Sequence, residues 1–278
     1  MKNLNIKFLL FALLCFTTSV FAQESYRLQY SFEKGKDYKY KMTNDGIVTQ
    51  TVMGQEVKIN TNGEIYVNME AEEINADSTS LLVSLDSAKY HINMPMRDTT
   101  LNLENVIGKR TRLTILNDGK VLNRETVDTV KSDADMTGQI SSQTTRLFIL
   151  PDKEIKIGET WNIENVDSIS MMGGSIKTKS NTDYTLLGTT DTLGRSCLRV
   201  EFKGKTTSEG KAKVMGMDLF IEGNGKLTGI YLFDAGKGLM INANSQVDNE
   251  LTMAATGEQN MIIPISQSSK VIQTLLEK

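Results

Sequence analysis

Apolar and polar residues alternate along most of this chain. In VKINTNGEIYVNMEAEEI, Val57, Ile59 and Thr61 fall on one side, and Ile65, Val67 and Met69 share a side after a slip expected near Asn62–Gly63. A period of two marks a half-buried strand. TRLTILNDGKVLNRETVD sets two alternating arms around Asn117, Asp118 and Gly119, which predicts a hairpin. MDLFIEGNGKLTGIYLFDAGKGLMINANSQVDNELTMAA predicts two more turns, near Gly223–Gly225 and Asp234–Gly238. With 3 prolines in the chain, long strands are permitted. About a dozen strands joined by short turns imply antiparallel pairing. The final SQSSKVIQTLLEK reads as a last strand.

One stretch breaks the alternation. SDADMTGQISSQTTRLFILPD predicts a helix near 133–148. Ser132 can cap it, Asp133 and Asp135 suit its N-terminus, and Arg146 suits its C-terminus. Met136, Ile140 and Leu147 fall on one face, and Pro151 ends it.

The pattern also repeats. Phe32, Gly35, Tyr38 and Tyr40 align with Ile155, Gly158, Trp161 and Ile163 at an offset of 123. Met53, Gly54, Val57, Lys58 and Asn62 align with Met172, Gly173, Ile176, Lys177 and Asn181 at 119. Leu81, Val83 and Leu85 align with Leu198, Val200 and Phe202, and Gly119, Lys120 and Leu122 with Gly236, Lys237 and Leu239, both at 117. The matches keep their order, as they would after an internal duplication with small insertions in surface turns. The period is that of a domain or half-domain, too long for a solenoid. The glycines are expected at turns needing positive φ. The plan is therefore a leader at 1–22, a first β repeat at 23–131, a linking helix within 132–150, and a second β repeat at 151–278. The fold class is all-β and mostly antiparallel, its two halves forming curved sheets or a half-barrel.

The leader reads as a secretory signal. Lys2 and Lys7 precede the apolar run FLLFALLCFTTSVF, and VFA places cleavage between Ala22 and Gln23. The run is shorter than the ~20 residues a membrane helix needs, so the protein is expected to be exported to the periplasm or cell envelope and not to be integral to the membrane. Cys15 follows Leu14, so the small residue that a lipid-attachment site needs before its cysteine is missing.

Charge and reactive side chains narrow the function. Basic side chains number 31 against 34 acidic, and loss of Lys2 and Lys7 makes the balance more acidic. Such a chain offers no basic surface for nucleic acid. Beyond the leader only Cys197 remains, so no internal disulfide is expected. It lies in SCLRVEF, where alternation would make Arg199 a same-face neighbour able to activate it; a buried free thiol behaves instead as a small hydrophobe. His91 is the single histidine, mid-strand in SAKYHINMPM, and no G-x-S-x-G motif accompanies it. Glu70, Glu72 and Glu73 read as a solvated strand face, although carboxylates paired only in space remain an option for a hydrolase. The 14 methionines include Met94/Met96 and Met215/Met217. On a strand each such pair would share a face, able to line an apolar ligand site or offer thioethers to a soft metal; apolar lining is the preferred reading. No cofactor, metal or catalytic residue is assigned.

An FAQ-ending leader followed by YSFEKGKDYKYKM, strands carrying M-G, and LPDKEIKIGETW opening the second half together resemble an uncharacterised family of exported, β-rich proteins common in Bacteroidetes-type bacteria. The resemblance implies an envelope location and an antiparallel β fold, and it carries no catalytic residues. The function expected is non-catalytic binding of an apolar small molecule, lipid or lipoprotein in a curved sheet. The alternative is an envelope scaffold that binds another protein through a sheet edge; a carboxylate hydrolase ranks third.

Overall fold

The structure is a computed structural model describing residues 24–95, 97–128, 147–171, 174–192, 194–214, 217–256 and 260–276. Its strands are β1 (Ser25–Tyr26), β2 (Asp37–Val52), β3 (Gln55–Ile74), β4 (Ser78–Met94), β5 (Arg97–Thr100), β6 (Arg110–Leu116), β7 (Val121–Thr126), β8 (Ile155–Lys156), β9 (Thr160–Met171), β10 (Gly174–Thr192), β11 (Arg195–Val214), β12 (Met217–Asp234), β13 (Leu239–Thr256) and β14 (Met261–Leu276). β1 pairs with β8. The other strands form one antiparallel sheet in the order β7-β6-β4-β3-β2-β14-β13-β12-β11-β10-β9, with β5 added to β4. Among the described residues the sheet does not close into a barrel. The predicted all-β antiparallel class is what the molecule shows, and the described part of SQSSKVIQTLLEK, to Leu276, is strand, as expected. The helix expected near 133–148 falls on residues outside the described ones, except Leu147 and Phe148, which carry no regular structure.

The two halves of the chain are joined edge to edge. β14 pairs with β2 from Ile265↔Gln50 to Leu276↔Lys39, so the last strand lies beside the first long one. The core is shared too: one cluster contains Tyr38, Val67 and Leu113 from the first half and Tyr184, Phe202 and Tyr231 from the second. Positions matched in sequence also make matching bonds. Gly35 N–H donates to the Ala71 carbonyl (2.8 Å), and Gly158 N–H to that of Leu186 (2.7 Å). Lys36 donates to Glu33 (3.1 Å), and Glu159 to Lys156 (3.0 Å). Ala71 donates to Lys36, and Leu186 to Glu159. The strand register then slips just after Ala71 and just after Leu186. Gly35 and Gly158 both have positive φ, 75° and 88°. A copied folding unit would leave this pattern.

The structure revises three details of the sequence reading. Gly223–Gly225 is no turn: it lies inside β12, paired on both sides. A Cβ at Gly225 would overlap Asn249 Oδ1, so the glycine serves close side-chain approach rather than chain reversal. There is no slip at Asn62–Gly63: β3 runs unbroken, with Val57, Ile59, Thr61, Ile65 and Val67 all on one face. The conformational match to Gly119 (φ 87°) is Gly238 (φ 65°) rather than Gly236. The M-G turn behaves as predicted: Met53 (φ 50°) and Gly54 (φ 77°) close a two-residue hairpin between Val52 and Gln55, the double positive φ of a type I′ turn.

The main core occupies one end of the sheet. There the segments around 28–32 and 147–150 lie across one face. Tyr30 N–H donates to the Asn117 carbonyl (2.7 Å) and Ser31 N–H to that of Gly238 (3.0 Å), tying both hairpin turns to the leading segment. Leu150 N–H donates to the Asp118 carbonyl (2.8 Å). Phe148 stacks on Tyr231 with ring centres 4.6 Å apart, and Trp161 on Tyr184 at 5.4 Å. Tyr40 Oη donates to the buried Met240 carbonyl (3.0 Å). Below, this covered end is called the base, and the other end of the same strands the far half.

Candidate functional site: the far half of the core face

Residues directly opposite in an antiparallel ladder share a face. Following the register across the far half therefore sorts its side chains without ambiguity. One row of the core face reads Ile163, Thr182, Gly204, Leu227, Val247, Ser269, Gly46, Thr61 and Ile92. The next reads Asn165, Ser180, Thr206, Gly225, Asn249, Gln267, Val48 and Ile59. The third reads Asp167, Thr178, Ser208, Gly223, Leu251, Ile265, Gln50 and Val57. The fourth contains Ile176, Gly210, Ile221, Met253 and Ile263. Asp167 is the only charged side chain in all four. Ile163 and Leu227 pack against the base cluster, so these rows continue the face that the base buries.

The outer face is the reverse. Between the first two rows lie Glu164, Lys205, Lys226 and Asp248; between the next two lie Lys58, Lys179 and Glu250; beyond them come Glu56, Lys177, Glu209 and Glu222. Charge is sorted by face over the whole width of the far half. The signal was present in the sequence as parity. Charged residues of β3 at this end are even-numbered (Glu56, Lys58, Glu64), while those of β10 and the end of β11 are odd (Lys177, Lys179, Lys205, Glu209, Lys211, Lys213). Sequence reasoning missed it because parity tells which side of each strand is charged, and only the pairing tells that all these sides agree.

The core face of the far half grades in character. Next to the base it carries hydroxyls, amides and glycines; Thr178 Oγ1 and Ser208 Oγ are 3.0 Å apart. Toward the far end it becomes aliphatic, ending in a second small cluster of Ala212, Leu219 and Ala255 with Met253 and Met261 packed against it. Added Cβ atoms at Gly174, Gly210 and Gly223 on this face would overlap atoms of adjoining strands, so backbones approach closely there. Open grooves of about 390, 580 and 830 Å³ lie on the outer face. The two larger ones run between charged side chains such as Lys177, Glu209 and Glu222.

The individual candidates fall as follows. Met94 is half-buried at the end of β4, and Met217 opens β12; Met96 and Met215 lie outside the described residues. β4 ends at Met94, and Met217 is the first residue of β12. The antiparallel topology does bring Met53, Met94, Met171, Met217, Met253 and Met261 to the same end of the sheet. The expected cleavage point at Ala22 and Gln23 also lies outside the described residues.

Cys197 is fully buried while Arg199 is exposed, so the two do not share an environment. Burial, and then Asp234, push the thiol up, away from the thiolate form that reactivity requires. His91 Nε2 lies 2.8 Å from Asp98 Oδ1, and its Nδ1 lies 3.3 Å from Thr100 Oγ1. This places an acid, an imidazole and a hydroxyl in a line beside the groove of about 390 Å³. They are cross-strand neighbours on the β4–β5 hairpin, His91 opposite Thr100 and Asn93 opposite Asp98. All three are exposed, so water screens the ion pair and nothing dry surrounds the hydroxyl. Glu72 is not a free solvated carboxylate: Arg112 Nε donates to it at 2.7 Å and holds its carboxyl below the usual range. Arg112 also meets Glu125 at 3.1 Å, so these charges brace β3, β6 and β7. Among the described residues no helix is long and apolar enough to cross a membrane.

No curated protein matches this chain. Among solved structures it is similar, at 10% identity, to an outer membrane channel from Pseudomonas putida F1, covering 89% of this chain and 98% of that one with a TM-score of 0.23. It is similar at 9% identity to OccK11 (OpdR) of Pseudomonas aeruginosa, covering 90% and 100%, also with a TM-score of 0.23. Scores this low establish no shared fold, and nothing is transferred from either protein. Residues 131–240, which span β8 to β12, match a family of unknown function, DUF6263.

Proposed function

We propose that this is an exported, non-catalytic binding protein whose far core face takes an apolar ligand: a lipid, or the acyl chain of a lipoprotein. The observation that carries the reading is the charge sorting, four core-face rows with Asp167 as their one charge beside an outer face dense in Lys and Glu. Long strands of uniformly charged-out, uncharged-in character cost solubility unless the uncharged face has an occupant. Hydroxyls and amides near the base give a head group hydrogen-bonding partners, and the aliphatic far end suits the chain. The leader pattern of Met1–Ala22 supports export.

Two measurements test this. Solvent extracts of the purified protein are analysed by mass spectrometry, and a fluorescent fatty acid is titrated into the delipidated protein. Leu251→Lys on the core face should weaken uptake at least tenfold, while Glu250→Lys, its neighbour on the outer face, should leave it unchanged. Empty extracts together with no fatty-acid binding would end the proposal.

A further inference from the structure

The two edges of the sheet are unequal. At one edge β7 is short, Val121–Thr126, breaks register against β6, and carries Arg124 and Glu125. Beyond it, the end of β4 is covered by β5. These are the usual protections of an exposed strand. The other edge, β9, is neither short, broken in register nor covered by another described strand, and its only charges are Glu164 and Asp167. It runs TWNIENVDSISM without Pro, Lys or Arg, and pairs with β10 without a break from Thr160↔Thr185 to Met171↔Gly174. Among the described residues no strand lies on its other side. Val166, at its middle, is 57% exposed. A long, unbroken edge with few charges is a template for another strand.

We propose that β9 pairs with β9 of a second copy of this chain, antiparallel about a twofold axis at Val166. Such an axis keeps odd-numbered residues on the core face in both copies, so the uncharged face runs on from one chain into the other. It sets Val166 against Val166, Glu164 opposite Ser168 of the second copy, and Asp167 opposite Asn165. Each acid thus meets an uncharged partner. Moving the axis to residue 164 or 167 puts like charges face to face, which disfavours those registers. Moving it to 165 sets Ile163 opposite Asp167. The inference stands whether or not the core face binds a ligand.

Sedimentation and cysteine trapping test it. The purified chain should sediment at twice its mass at tens of micromolar. Val166→Cys should form an intermolecular disulfide under mild oxidation, since equivalent Cβ atoms approach across the axis, while Thr207→Cys, exposed on the outer face away from the edge, should stay largely reduced. Val166→Lys should weaken the dimer at least tenfold with an unchanged far-ultraviolet spectrum. Asn165→Lys, which sets a cation opposite Asp167, should tighten it several-fold, and Asn165→Asp should loosen it. A monomer at 100 μM, with Val166→Cys trapping no faster than Thr207→Cys, overturns the proposal.

Discussion

The same strands behave differently at their two ends. β3 is 20 residues long. In its later part Ile65, Val67, Met69 and Ala71 are buried; in its earlier part Val57, Ile59 and Thr61, on the same face and in the same rhythm, are only half-buried. β propensity is no lower at one end than at the other. The difference is cover: residues around 28–32 and 147–150 lie over the base, and no comparable segment among the described residues lies over the far half. Alternation therefore specifies a strand with an inside, and a second layer decides whether that inside becomes a core. In the base the inside is aromatic. In the far half it grades from hydroxyls, amides and glycines to aliphatic side chains, with Asp167 its one charge.

The largest test of that comparison is truncation. Phe202 is 1% exposed and contacts Phe148, Tyr184 and Tyr231. Phe202→Ala should cost about 3–5 kcal/mol in urea unfolding. Val57→Ala in the far half should cost about 1 kcal/mol or less. Equal losses would mean that the far half is as tightly packed as the base and has no room for a ligand. The next test asks whether the far half has a fixed shape despite its thin packing. A side chain at Gly225 would overlap Asn249 and press on Thr206 Oγ1 at 2.7 Å. Gly225→Val should cost about 1–3 kcal/mol through overpacking. A neutral result would show that the strands there shift freely and that the glycine-lined face is not a fixed feature.

Much of the base was legible because its signals are local. Tyr38, Tyr40, Leu81, Val83, Leu113 and Ile115 alternate within their strands, and their burial follows from that rhythm. The hairpin at Asn117–Gly119 and the Met53–Gly54 turn were legible from turn chemistry. Gly223–Gly225 was misread because E-G-N-G-K has the composition of a turn. The phase of the flanking residues argued otherwise: Leu219, Ile221 and Leu227 keep one parity straight through the glycines, as a continuous strand requires. The candidate site was not legible, since it is defined by pairing between strands as remote as β9 and β3. The His91, Asp98 and Thr100 line was hidden for a similar reason: it exists only because β5 folds back on β4.

The smallest effect expected lies at the edge of the base, in the pair that closes the β6–β7 hairpin. Arg110 Nε donates to Asp128 Oδ2 at 2.8 Å, Nη2 donates to Oδ1 at 3.1 Å, and the Arg110 backbone N–H also donates to Oδ2 at 3.1 Å. These bonds favour the ionised carboxylate and bring its pKa down to about 2, from an ordinary value of 3.8. A depressed carboxylate stabilises the fold above its unfolded pKa and loses that contribution as pH falls through the folded value. The pair should therefore help at pH 5 and fade between about pH 4 and pH 2. Asp128→Asn should lower the melting temperature slightly at pH 5 and leave it unchanged near pH 2, because water and salt already screen an exposed pair. A difference in melting temperature that stayed the same from pH 5 to pH 2 would mean that the ionised pair contributes nothing at this edge of the base.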